Sequence, residues 1–260
     1  MKLKRRIRMK KIALINQKGG VAKTTTTYNL AAVKALEGKR VLMIDLDPQA
    51  SLTIACGIEP GEERLEGHST IDLFDAKKDP VDAVFSVTAS KLENLYIVPS
   101  DIDLAETESK LIIKMNSEVK LKKAVDKLEE YFDYIFIDCP PQLGQLTINA
   151  LVASDMVIIP CKVDYLAYRG LRALLDTIGQ IREEDMNPGL EVKGIIGTFY
   201  EGRVKDQQDI LKMISEKAPL LGTVRKSADI SRNVVSGLPV VLALPGSSTA
   251  VEYKTIAGEV

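Results

Sequence analysis

The chain has 260 residues, 45% of them hydrophobic, with 35 basic and 36 acidic side chains. This length can bury one sizeable core, and we expect a single domain over residues 10–260. Three cysteines without C-x-x-C spacing argue against a disulfide framework or a zinc site, and no apolar run approaches the roughly 18 to 20 residues of a spanning helix. These features predict a soluble, cytoplasmic protein.

The first eleven residues are strongly basic. They hold seven of the 35 Lys and Arg side chains and no acid, so the rest of the chain has a net charge of −8. Such a segment can contact nucleic acid or another anionic surface. It can equally precede the natural start, because Met9-Lys-Lys-Ile stands just ahead of the first predicted strand. We therefore assign residues 1–9 to a basic N-terminal extension and expect it to be flexible.

A predicted strand, a glycine turn and a predicted helix follow in direct succession. The apolar run 12–15 leads into Gly19 and Gly20, which lack Cβ and let backbone N–H groups converge on an anion at the helix N-terminus. Lys23 can then reach the β- and γ-phosphates of a nucleotide, and the Thr24 hydroxyl can ligate Mg²⁺. The order of these elements predicts a phosphate-binding loop.

This loop departs from the pattern G-x-x-x-x-G-K-[ST]. Gln17 and Ala22 occupy the two outer glycine positions, and a second lysine, Lys18, stands at the front of K-G-G-x-x-K-T. The residues that we expect to contact the nucleotide here are Lys18, Gly19, Gly20, Val21, Ala22, Lys23, Thr24 and Thr25.

Two carboxylates end the second predicted strand. Acids at the carboxyl end of a strand lie where doubly wound sheets bind ligands. We expect Asp47, which Pro48 follows, to begin a mobile segment, and Asp45 to make either a metal-side contact or a structural one.

A third acid, Asp138, ends the apolar run Tyr134-Ile-Phe-Ile and precedes Pro140 and Pro141. A carboxylate at this place can lie near the Mg²⁺ shell and complement Thr24. The prolines keep the following residues out of both strand and helix, which leaves a loop able to respond to a γ-phosphate.

Strands and helices alternate along the whole chain. With right-handed crossovers, this alternation predicts an α/β fold, a doubly wound and mostly parallel sheet of seven or eight strands with helices on both faces. One of the predicted helices is long and runs from Leu104 to Leu128.

The three motifs K-G-G-x-x-K-T, D-x-D-P-Q and D-x-P-P resemble those of the ParA/MinD group of deviant Walker-type ATPases, and the likeness to Soj-like ParA proteins covers about residues 10–260. The resemblance implies slow hydrolysis of ATP with Mg²⁺ held by Thr24, Asp45 and Asp138. It also implies that Lys18 crosses a homodimer to the partner's nucleotide, that Lys23 binds phosphate, and that Asp47 orients the attacking water.

The same resemblance implies partners: non-specific double-stranded DNA bound in the ATP state, a ParB-like centromere-binding protein, and hence a nucleoid-associated location. The candidate DNA contacts are Arg203, Lys226 and Arg232, although Asp229 stands where Soj-like proteins often have a basic residue. The candidate adenine contacts are Phe199, Tyr200 and the backbone of Arg225.

Three alternatives stay open. A MinD-like membrane ATPase needs a C-terminal amphipathic helix, and the chain as given ends at Ile256-Ala-Gly-Glu-Val. A reductase like the nitrogenase iron protein needs two cysteines per subunit at a dimer interface. A ParA-like ATPase that positions a protein cargo would use the same switch with another partner.

Overall fold

The computed structural model describes residues 9–227 and 236–260, which form an eight-stranded sheet flanked by helices. The strands are β1 (Lys10–Leu14), β2 (Val41–Asp45), β3 (Phe85–Ser86), β4 (Leu95–Val98), β5 (Tyr134–Asp138), β6 (Met156–Lys162), β7 (Glu191–Thr198) and β8 (Leu220–Val224). Their order is β3-β4-β2-β5-β1-β6-β7-β8. Only the β3–β4 pair among them is antiparallel. The predicted mostly parallel, doubly wound sheet is confirmed.

Helices follow most strands and cover both faces of the sheet. They are α1 (Lys23–Leu36), α2 (Ser51–Ala55), α3 (Leu104–Ile113), α4 (Lys120–Lys127), α5 (Gln145–Ala153), α6 (Tyr165–Glu183), α7 (Lys205–Ser215), α8 (Val240–Ala243) and α9 (Ser248–Gly258). Short 3₁₀ turns lie at Glu63–Leu65, Thr70–Phe74, Pro80–Ala83, Thr88–Ser90 and Ser117–Val119.

The core consists of two layers, one on each face of the sheet. Ile12 and Leu14 of β1 pack against α1 and α9, whereas Ala13 of β1 and the following Ile15 pack on the opposite face against α4, α5 and α6. Strands buried on both faces read as continuous apolar runs, which is why the pattern predicted parallel pairing. The carboxyl ends of the central strands β2, β5 and β1 therefore meet at one edge of the sheet.

The prediction of one long helix from Leu104 to Leu128 is wrong. The segment is broken between α3 and α4 at Asn116, whose φ is +53°. Asn tolerates this left-handed conformation better than most residues, and such a residue cannot continue a right-handed helix. The N–H of Leu121, at the start of α4, donates to the side-chain oxygen of Asn149 instead, at 3.2 Å.

Several sequence-based predictions fall outside the described residues. These are the basic segment 1–8, the candidate DNA contact Arg232, and Asp229. Met9, which the sequence placed in the extension, is 3% exposed and packs into the core, so it belongs with the folded domain. Across 9–227 and 236–260, no helix is both long enough and hydrophobic enough to cross a bilayer.

Candidate functional site

The loop between β1 and α1 forms an anion cradle at the carboxyl edge of the sheet. Gly20 and Ala22 both have left-handed backbone conformations, with φ of +70° and +68°. Val21 between them is 1% exposed, and its carbonyl accepts a hydrogen bond from the Thr198 hydroxyl at 3.1 Å. The loop is thus anchored to the end of β7, with the N-terminus of α1 directly behind it.

Ala22 is strained where a glycine would not be, because a Cβ in the left-handed region costs about 1 to 2 kcal/mol. We expect Ala22→Gly to raise the free energy of unfolding by up to about 1 kcal/mol, since the added freedom of the unfolded chain offsets part of the relief. Chemical denaturation of nucleotide-free protein measures the change. Ala173→Gly in α6 is the matched control and should instead destabilise by about 1 kcal/mol. Equal losses in both variants would contradict the assignment of strain to Ala22.

Lys23 and Thr24 face the buried carboxylate of Asp138. The Thr24 hydroxyl donates to one oxygen of Asp138 at 2.6 Å, and the Thr27 hydroxyl donates to the other at 3.2 Å. Burial raises the pKa of Asp138 to about 7, an effect increased by the charge of Asp45 and opposed by Thr24 and Lys23. Burial also lowers the pKa of Lys23, whose ammonium donates to the Asn16 carbonyl at 3.2 Å.

The Thr24–Asp138 pair has the donor types that Mg²⁺ takes next to a nucleotide, one hydroxyl and one carboxylate. Within the described stretches no group of three or more His, Cys, Asp and Glu side chains could hold a metal ion alone. A divalent cation here would therefore complete its coordination with phosphate oxygens and water.

Asp45 is fully buried, and its carboxylate is engaged in structural hydrogen bonds. One oxygen accepts from the N–H of Asp47 at 3.2 Å, and the other accepts from the N–H and the hydroxyl of Thr53 at 2.8 and 2.7 Å. The Thr53 hydroxyl in turn accepts from the N–H of Ser100 at 2.9 Å. Burial raises the pKa of Asp45 to about 6, while the bonds from Thr53 and Asp47 oppose that shift. Of the two roles that the sequence left open, these bonds favour the structural one.

Asp47 lines the cavity that opens beside the loop. This cavity has a volume of about 480 Å³. Its walls are formed by Gly19, Gly20, Ala22, Lys23, Thr24, Thr25, Tyr28, Asn29, Asp47, Gln49, Ser51, Ile54, Ala55, Pro141, Leu238, Pro239 and Val240. Asp47 is half-buried and accepts a hydrogen bond from the N–H of Gln49 at 2.9 Å. The structure thus brings most of the predicted loop residues and one predicted catalytic acid to a common space.

Lys18 does not face that cavity. Its ammonium donates to both carboxylate oxygens of Asp164, at 2.9 and 2.8 Å, and its backbone N–H donates to the Asn16 side chain at 2.9 Å. The two charged side chains are 35% and 29% exposed. Lys18 is therefore held outside the lining of the cavity by an acid of its own chain.

A second cavity of about 610 Å³ is lined by four of the other candidate contacts: Tyr200, Arg203, Arg225 and Lys226. Its walls are Tyr200, Glu201, Gly202, Arg203, Thr223, Arg225, Lys226 and Glu252. The guanidinium of Arg225 pairs with Glu252 at 2.6 Å, and the Arg225 N–H donates to the same carboxylate at 3.0 Å. Phe199 has a φ of +55° and lies at the turn that leads into this cavity. Two of the predicted base contacts, Tyr200 and Arg225, thus share one surface with two of the predicted DNA contacts.

Sequence reasoning missed three residues of the site: Thr27, Thr53 and Asp164. Thr27 lies one helical turn after Thr24, so helical spacing alone could have placed both hydroxyls on the Asp138 side of α1. Asp164 has the sequence signal of a helix N-cap, and its side chain accepts from the N–H of Ala167. Its pairing with Lys18 joins residues 146 positions apart, a distance over which the sequence carries no local signal.

The cysteines do not support the reductase alternative. Cys56, Cys139 and Cys161 are free and buried, and Cys139, next to Asp138, is 1% exposed. A cluster at a dimer interface needs accessible thiolates.

Comparison with known proteins places this architecture in a family. A family model described as an AAA domain matches residues 9–192. The chain is 37% identical over 253 residues to the sporulation initiation inhibitor protein Soj of Bacillus subtilis, covering 96% of this chain and 97% of that protein. Two similar solved structures are those of cobyrinic acid a,c-diamide synthase from Mycobacterium smegmatis with bound ADP and magnesium, and of apo McdA from Cyanothece.

The first of these structures is 32% identical with a TM-score of 0.79, over 96% of this chain and 93% of that chain. The second is 25% identical with a TM-score of 0.86, over 96% and 98%. The likeness therefore spans the sheet, the phosphate loop and the carboxylates at the sheet edge. We conclude that the chain belongs to the AAA domain family and, within it, to the Soj/ParA branch of the ParA/MinD P-loop ATPases.

Proposed function

We propose that this chain is a partition ATPase that dimerises when it binds ATP and Mg²⁺, binds DNA without sequence preference in that state, and is released by hydrolysis. The observation that carries the proposal is the arrangement of Lys23 and the Thr24–Asp138 pair behind the cradle, with Asp47 across the adjoining cavity. This arrangement provides a cation, a hydroxyl–carboxylate pair suited to a metal ion, and the Asp47 carboxylate beside one cavity.

The roles follow from the contacts. The loop N–H groups and Lys23 bind the phosphates, and the Lys23 ammonium exchanges the Asn16 carbonyl for phosphate oxygens. Thr24 and Asp138 would hold a Mg²⁺ ion, which would supply positive charge to offset that of the phosphates. Asp47 orients the water that attacks the γ-phosphate. We propose that the base contacts Phe199, Tyr200 and the Arg225 backbone; the hydrogen bond from Thr198 to the loop, which brings the end of β7 close to it, supports this choice.

Dimerisation is the change in the protein that ATP binding produces. Two chains face each other across their nucleotides, and each Lys18 reaches the partner's phosphates, so only two filled sites hold the pair together. Hydrolysis is slow until a ParB-like partner completes the site, as in other phosphate switches.

DNA binding is expected to depend on ATP and to fall steeply with salt. Arg203 and Lys226 line the second cavity and form no ion pair with another described residue, so both charges are available to phosphates. With ATP and Mg²⁺, fluorescence anisotropy of a labelled random-sequence duplex should show a linear loss of log affinity with log salt concentration. Removing one of these charges, as in Arg203→Ala, should reduce that slope by about one unit.

Lys217→Ala is the matched control, because this exposed lysine precedes the amino end of β8, whereas the second cavity lies at the carboxyl end of that strand. Its salt slope should equal that of the wild type. Binding that is absent with ATP, or insensitive to salt, would remove DNA from the proposal. Intact dimerisation in that case would favour an ATPase that positions a protein cargo.

A further inference from the structure

The Lys18–Asp164 ion pair bears on the equilibrium between the monomer and the ATP-bound dimer. Asp164 is the N-cap of α6, where it accepts from the N–H of Ala167 at 2.8 Å. Burial alone would raise the pKa of Asp164, but hydrogen bonds from Lys18 and from Ala167 lower it below its ordinary value. The carboxylate is thus built to stay ionised, and it holds the ammonium of Lys18 through both oxygens.

This contact is incompatible with a Lys18 that reaches another subunit. An ammonium bonded to both oxygens of an acid on its own chain cannot at the same time neutralise phosphate charge on a partner. The ion pair therefore contributes to the free energy of the isolated subunit and is lost on dimerisation. Breaking the ion pair costs free energy when the dimer forms, so the pair lowers the affinity of the two subunits for each other.

Release of Lys18 does not leave Asp164 without hydrogen bonds or charge compensation. The ammonium of Lys162 lies 3.4 Å from one of its oxygens, and the Ala167 N–H remains in place. Lys18 and Asp164 are also partly exposed, so water can replace part of the lost contact. The ion pair is consequently weak enough to break when a dimer forms, and strong enough to shift the equilibrium towards the monomer.

We propose that Asp164 is a positioning residue that retains Lys18 in the monomer and thereby weakens the ATP-bound dimer. This inference rests on the proposed function, because it assumes that Lys18 crosses the interface. An ion pair of this exposure changes an equilibrium by about two- to five-fold. Two such pairs open per dimer, so the dimer dissociation constant should fall by about four- to 25-fold when the acid is removed.

The test uses Asp164→Asn and Asp164→Ser, which remove the charge but keep a helix N-cap. Sedimentation of the full chain with ATP and Mg²⁺ should show tighter dimers for both variants and no change for Asp176→Asn, an exposed acid of α6. In a Lys18→Ala background the Asp164→Asn change should not restore dimers, because the cation that it releases is absent. Unchanged or weaker dimers in both Asp164 variants would overturn the proposal.

A second readout does not depend on dimerisation. Amine labelling of nucleotide-free monomers, followed by mass spectrometry, should modify Lys18 several-fold faster in Asp164→Asn than in the wild type. Unchanged labelling would show that Asp164 does not retain Lys18. If the wild type fails to dimerise with ATP while labelling still responds to Asp164, the ion pair stands and the proposed function is what fails.

Discussion

Replacement of Asp47 by alanine is expected to stop ATP turnover and to leave ATP binding intact. The side chain is half-buried, lines the cavity beside Lys23, and follows the strand end fixed by Asp45. Its carboxylate accepts a hydrogen bond from the N–H of Gln49, outside the phosphate loop, so the cradle should keep its shape. Loss of a group that orients or activates the nucleophile slows hydrolysis by about 100- to 10,000-fold. Single-turnover phosphate release, with nucleotide affinity from calorimetry, separates the two effects.

The control for this variant is Asp82→Ala, an exposed acid in the 3₁₀ turn Pro80–Ala83 that is not part of the cavity. It should turn over ATP at the rate of the wild type. Rapid phosphate release from Asp47→Ala would show that another group directs the water. A loss of affinity equal to the loss of rate would instead place Asp47 in ground-state binding.

Lys18→Ala is expected to abolish ATP-dependent dimers and to leave a folded monomer. The side chain is 35% exposed and contacts Asp164 at the rim, so its removal leaves no cavity in the core. Across the dimer the same ammonium would meet a triphosphate in a site closed to water, where one charge is worth far more than at the surface. Sedimentation velocity with ATP and Mg²⁺ should therefore show only monomers at concentrations where the wild type is dimeric.

Lys217→Ala provides the matched loss of a surface charge, and its dimers should persist. Nucleotide binding by Lys18→Ala monomers, measured by fluorescence, should be retained through Lys23. If Lys18→Ala dimerises as strongly as the wild type, Lys18 does not hold the two subunits together across the interface. The chain would then be a P-loop ATPase that associates by other contacts.

The sequence was sufficient for the sheet and for the phosphate loop, because both are encoded locally. Apolar runs that end in acids predicted parallel strands, and K-G-G-x-x-K-T between a strand and a helix predicted the cradle. Contacts between segments that are far apart in the sequence could not be predicted from it. The bonds of Asp45 depend on how α2 packs beneath β2, and the partner of Lys18 comes from the start of α6. The break at Asn116 was also missed, since the apolar spacing continues across it.

The hydroxyl of Thr53 ties α2 to the carboxyl ends of two paired strands, β2 and β4. It donates to Asp45 and accepts from the N–H of Ser100, so α2 cannot shift without breaking one of these bonds or carrying the exit of β4 with it. From there the chain runs directly into α3, whose last residues, Ile112 and Ile113, are 70% and 85% exposed. A displacement of α2, which lines the cavity beside the loop, would therefore be transmitted through Ser100 to the start of this helix.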